Sequence, residues 1–117
     1  MKVIIAGSRD FDDYGLLSRE CDRLLPAVGD LHIVSGCARG ADTMAIAYAN
    51  DRHIPLIRVP ADWDKHGRSA GYLRNREMAI LSDMLIAFWD GKSKGTSHMI
   101  RLANEHGLEV HVIRTDR

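Results

Sequence analysis

Five short apolar runs that are nearly continuous rather than alternating, with helix-period stripes in the segments between them, predict an α/β fold. The expected form is three-layered, a parallel sheet of five strands with helices on both faces. Size agrees with this, since 117 residues with 45% apolar content supply one core and one domain spanning residues 1–117. The first strand is read at residues 3–6, and Leu17, Cys21 and Leu24 at i, i+4, i+7 predict the helix that follows. Residues 31–34 form the second run, and Met44, Ala45, Tyr48 and Ala49 the stripe after it. The third run, residues 56–59, leads into the longest stretch without periodicity, "PADWDKHGRSAG" at 60–71, expected to be a functional or mobile loop. Met78 and Leu81 mark a third helix, residues 84–88 a fourth strand, Met99, Ile100 and Ala103 a fourth helix, and residues 110–113 the last strand. Such alternation builds right-handed βαβ units, in a small Rossmann-like or flavodoxin-like layout.

Composition narrows the function. Sixteen basic and sixteen acidic side chains cancel, so the chain lacks the overall positive field of a bulk duplex binder, and nucleic acid is not the expected partner. Cys21 and Cys37 make no CxxC pair and no zinc spacing with the six histidines, and are read as reduced thiols. No run approaches the roughly 18 apolar residues of a membrane span, and residues 3–6 are too short for a signal-peptide core. The expectation is a cytoplasmic protein that uses no membrane.

Open α/β sheets bind ligands beyond the carboxyl ends of their strands, so the loops after the strands are the candidate site. They carry Gly7, Ser8 and Arg9; Ser35, Gly36, Arg39 and Gly40; Trp63 in the long loop; and Asp90, Gly91, Ser93, Gly95 and Thr96. Half of the sixteen cations lie in or just past these loops. Glycine lets backbone N–H groups approach an anion, and a helix N-terminus adds positive partial charge, which is the chemistry of phosphate holding. Thr96 is read as the cap or first-turn residue of the last helix, with its hydroxyl toward a phosphate oxygen. Asp42 is read either as the cap of the second helix or as an acceptor for a ribose hydroxyl. Neither GxxxxGK[ST] nor GxGxxG occurs, which argues against an ordinary ATPase or NAD dehydrogenase. The cluster Asp62, Asp64 and His66 matches no defined metal spacing, so no metal and no resident cofactor are expected. Trp63 offers a flat face to stack on a base or close the pocket.

"KVIIAGSRDF", "VSGCARGAD", "PADWDKHGRSAGYLRNREM" and "LIAFWDGKSKGTSHMI", in that order, resemble the YspA-like branch of the SLOG superfamily, which groups DprA with the LOG phosphoribohydrolases. The resemblance implies a Rossmann-like sheet of order 3-2-1-4-5, a nucleotide-derived ligand at its carboxyl edge and pairing of subunits into a homo-oligomer. It also implies three functions to weigh: binding of NAD- or ADP-ribose-like or cyclic signalling nucleotides, by a sensor or a sequestering protein; N-glycosidic cleavage of nucleoside monophosphates, as in LOG enzymes; and single-stranded DNA binding, as in DprA.

Carried over residue by residue, Gly95 and Thr96 match the GT of the LOG motif PGGxGTxxE, while Met99 stands where that motif has its Glu. In "LRNRE", Arg76 matches the Arg of MxxRK and Glu77 replaces its Lys. Arg76 is therefore expected to grip the ligand phosphate, with Arg76 and Glu77 the candidates if the protein is an enzyme. The missing Glu moves the expectation from catalysis to binding.

Overall fold

The computed structural model describes residues 1–116. Its elements run β1 (Lys2–Gly7), α1 (Tyr14–Leu24), β2 (His32–Ser35), α2 (Ala41–Asp51), β3 (Leu56–Arg58), α3 (Trp63–His66), α4 (Ala70–Leu81), β4 (Met84–Trp89), α5 (Lys94–Glu105) and β5 (Glu109–Arg114). All five strands are parallel, in the order β3-β2-β1-β4-β5. The winding reverses between β1 and β4, which pair with Gly7 opposite Phe88.

Alternation along each strand builds the two outer layers. Val3 and Ile5 of β1, with Ile86 and Phe88 of β4, pack with Leu17 and Cys21 of α1 and Ala45 and Tyr48 of α2. Ile4 and Ala6, with Leu85 and Ala87, pack on the other face with Met78 of α4 and Met99 and Ala103 of α5. The chain is thus an α/β three-layer Rossmann-like fold. No helix among the described residues is long and apolar enough to cross a membrane.

Two expectations need correction. Residues 60–71 are not an unstructured loop: Asp62 caps α3 by accepting from the Lys65 N–H at 3.1 Å, a 3₁₀ turn covers Gly67–Ser69, and α4 already starts at Ala70. One helical turn is too short to show periodicity, so local capping chemistry carries this segment. Asp42 is not the cap of α2. Gly40 holds that place with φ +76°, and a Cβ there would run into the backbone carbonyls of Ser8 and Arg9.

Candidate functional site

The reversal between β1 and β4 opens a cleft of about 500 Å³ at the carboxyl edge of the sheet. Ser8 ties its two banks together: its N–H donates to the Phe88 carbonyl at 3.0 Å, and its hydroxyl accepts from the Asp90 N–H at 3.2 Å. That hydroxyl is thereby a structural clamp. Gly7 allows the two strand ends to approach, because a Cβ at this position would collide with the Phe88 carbonyl and the Ala41 side chain.

On the β4 bank, the Asp90 carboxylate accepts from the N–H groups of Lys92 and Ser93, both at 2.8 Å. These two N–H bonds hold its carboxyl below the usual carboxylate range. The turn they make delivers Ser93 as the cap of α5, where its hydroxyl accepts from the Thr96 N–H and lies 3.0 Å from the Thr96 hydroxyl. Among the described residues the N–H groups of Lys94 and Gly95 find no acceptor, as expected of a helix's first turn. They carry the positive end of a twelve-residue helix.

The facing wall comes from α4. Asn75, only 6% exposed, donates from Nδ2 to the Gly95 carbonyl at 3.3 Å and lies 3.2 Å from His98 Nδ1, so α4 is bolted to the start of α5. Burial holds the His98 imidazole below its ordinary pKa, with Arg101 adding repulsion. Arg74 donates from Nε to Asn75 Oδ1 at 3.0 Å and from its terminal nitrogen to the Gly36 carbonyl at 2.5 Å. Gly36 makes room for this, since a Cβ there would meet the Arg74 guanidinium and the Asp42 carboxylate. Asp42 is 5% exposed, and burial pushes its carboxyl up to about 6 against the pull of Arg74, the Ala38 N–H and Arg9. Burial likewise lowers the Arg74 guanidinium from its ordinary value.

Of the residues expected from sequence, Gly7, Ser8, Arg9, Asp42, Asp90, Ser93, Gly95 and Thr96 line this cleft. Gly36, Arg39 and Trp63 line a neighbouring hollow of about 310 Å³ that shares Arg9 and Arg74 with it. Trp63 is 51% exposed there, unlike a buried anchor. Gly91 borders a separate groove on the outer side of α5. Ser35 is wholly buried, its hydroxyl donating to the Asp42 carbonyl and accepting from the Cys37 N–H, and Gly40 serves the backbone approach behind the cleft.

Arg76 and Glu77 do not reach the cleft. Both are exposed, on the side of α4 away from the buried Asn75, Met78 and Ala79. Arg74 occupies the place expected of Arg76, and Asn75 was missed altogether. The signal was present, because Arg74 lies one helical turn before the buried Met78 and so shares its side of the helix. Met99 is buried in the cleft floor and brings no carboxylate there. Among the described residues no group of three or more His, Cys, Asp or Glu side chains is arranged to hold a metal ion.

The family model described as YspA, cpYpsA-related SLOG (YAcAr) matches residues 1–66. The Gene 61 protein of Mycobacterium phage D29 is 37% identical over 116 residues, covering 93% of each chain. DNA processing protein A from Helicobacter pylori, whose structure concerns its single-stranded DNA binding mode, superimposes with a TM-score of 0.70 at 24% identity over 96% of this chain. The protein of the same name from Streptococcus pneumoniae gives a TM-score of 0.70 at 24% identity over 95% of this chain. The matches span 64% and 49% of those two longer chains, and at this identity they establish the shared fold.

Proposed function

The chain belongs to the YspA, cpYpsA-related SLOG family, and from that premise we propose that it binds a nucleotide-derived phosphorylated small molecule, NAD- or ADP-ribose-like or a signalling nucleotide, in the cleft between β1 and β4. Its role is that of a sensor or sequestering protein. One observation carries the reading: Gly95, whose N–H is unpaired in the first turn of α5, and the hydroxyl-bearing Ser93 and Thr96 line the same cleft as Arg9, Arg74 and Lys92. The cleft carries Asp10, Asp42 and Asp90 as well as those three cations, so the anion's place is the start of α5, where N–H and hydroxyl donors gather beside a half-buried arginine whose planar guanidinium suits phosphate. Trp63, beside Arg9 and Arg74, supplies a stacking face for a base.

The test is thermal denaturation with AMP, NAD, ADP-ribose and cyclic nucleotides, together with mass spectrometry of whatever the purified protein releases on heating. A bound ligand at a hundred times its Kd raises stability by about 2.7 kcal/mol. Arg74→Ala is expected to abolish that shift and Arg76→Ala to leave it intact. Absence of any shift and of any released compound would sink the proposal.

A second reading, single-stranded DNA binding, draws on the groove of about 470 Å³ outside α5, where Tyr72, Trp89 and His98 interleave with Lys92, Lys94 and Arg101. Lys92 also borders the main cleft, so the two hollows adjoin. Strand binding would weaken steeply with salt. A flat salt response excludes it.

The exposed face of α4 supports self-association as well. Leu73, Arg76, Glu77 and Ile80 project from it, with Leu73 42% and Ile80 64% exposed, and neither Arg76 nor Glu77 has an ion-pair partner among the described residues. The pattern is symmetric about the midpoint between Arg76 and Glu77. A second copy packed antiparallel across a two-fold axis would set Leu73 against Ile80 and Arg76 against Glu77, each twice. One helix pair about 18 Å long buries less than a stable interface needs, so this is a weak dimer.

A further inference from the structure

Asp42 is, among the described residues, the only acidic side chain that is buried. It stands in the second position of α2, on the wall of the cleft formed by α2 and the loop after β2. Its hydrogen bonding is incomplete. One carboxylate oxygen accepts from the Ala38 N–H at a long 3.4 Å, the Gly7 N–H adds only a weak pull, and neither Arg74 nor Arg9 forms an ion pair with it, so two backbone donors serve two oxygens. A buried carboxylate left with acceptor capacity to spare is costly unless a ligand supplies donors.

The two parts of the cleft therefore take different chemistry. The start of α5 offers N–H and hydroxyl donors to an anion, whereas a phosphate placed beside Asp42 would meet like charge. What suits Asp42 is a neutral donor, and a vicinal pair of hydroxyls can satisfy both oxygens of one carboxylate. Resting on the phosphate-binding reading above, we infer that Asp42 reads the free 2′,3′-diol of a ribose whose phosphate lies on the α5 N-terminus. The cleft then selects ribonucleotide-type ligands. Deoxynucleotides, 3′,5′-cyclic nucleotides and the internal units of a DNA strand, which lack the diol, are disfavoured.

Calorimetric titration of the wild-type chain with AMP, ADP-ribose, 2′,3′-dideoxy-AMP and inorganic phosphate tests this. AMP or ADP-ribose is expected to bind about ten- to a hundred-fold more tightly than the dideoxy compound, the range for a hydrogen bond to a charged group. Asp42→Asn, and Asp42→Ser as a shorter replacement, should abolish that preference while near-ultraviolet circular dichroism stays native. Gly95→Ala, at the phosphate end, should weaken AMP and the dideoxy compound alike and keep their ratio. Equal binding of AMP and dideoxy-AMP to the wild-type chain, or a preference that survives in both Asp42 variants, overturns the inference and leaves the phosphate site standing. Failure of every probe to bind overturns the phosphate site and this inference with it.

Discussion

Gly95 occupies the first turn of α5 with nothing within 4 Å of where a Cβ would lie, yet it borders the cleft. A methyl group there meets no protein atom and intrudes on whatever approaches the helix N-terminus. Alanine also loses less backbone entropy than glycine in a helix, by about 0.5–1 kcal/mol. Gly95→Ala is therefore expected to raise the melting temperature by a few degrees and to weaken nucleotide binding by about ten-fold or more, two opposite readouts from one variant. Asp42 gives a second test at this scale. Its folded pKa is raised from 3.8 to about 6, so between those values the folded chain holds more protons than the unfolded one. Stability from this group then falls as pH rises through the window, by on the order of 3 kcal/mol, and is lowest above it. Denaturant titrations of wild type and Asp42→Asn at about pH 4, 5 and 7 should diverge, the variant gaining on the wild type as pH rises; parallel curves would refute the assignment.

Helix α5 is positioned by side chains that stand before it. Asp90 folds the turn, Ser93 caps it, and the Trp89 indole N–H donates to the Ser93 carbonyl at 3.1 Å. Ser93→Ala is expected to cost about 1 kcal/mol in stability and to speed amide exchange at Lys94 through Thr96 ahead of the rest of α5. Uniform exchange along the helix would show that the cap is not what orders the site. Helix α4 divides its labour by face: Met78 and Ala79 pack in the core, Arg74 and Asn75 line the cleft with Asn75 also bonded to α5, and Arg76 and Glu77 are exposed to solvent. A motif match at Arg76 carries no information on which way the side chain points. A shift of two residues along a helix is 200° of rotation, enough to move a side chain from one side of the helix to the other.

For the molecule as a whole, the neutral charge total conceals cations gathered at one edge of the sheet, Arg9, Arg39, Arg74 and Lys92 among them. Self-association is tested by exchanging charges on α4. Arg76→Glu and Glu77→Arg are each expected to reduce dimer in concentration-dependent light scattering, at roughly 10–100 µM, and the double swap to restore it. Restoration distinguishes pairing across an axis from general charge effects, and a chain that stays monomeric at every concentration contradicts the proposal. The amino-acid sequence by itself determined the class of fold and the strand positions, because continuous β-branched runs fit a doubly covered sheet and little else. It also determined which loops gather at the carboxyl edge and line the cleft there, since Gly7, Ser8, Gly95 and Thr96 follow strands that must end on one edge. Spacing from Met78 gives the side of α4 on which Arg74 lies, but only the tertiary structure decided that this side opens onto the cleft, that Asp42 is buried without an ion pair, and that Ser35 is spent on internal hydrogen bonds. Those outcomes depend on packing between α2, α4 and α5, which spacing along one chain does not encode.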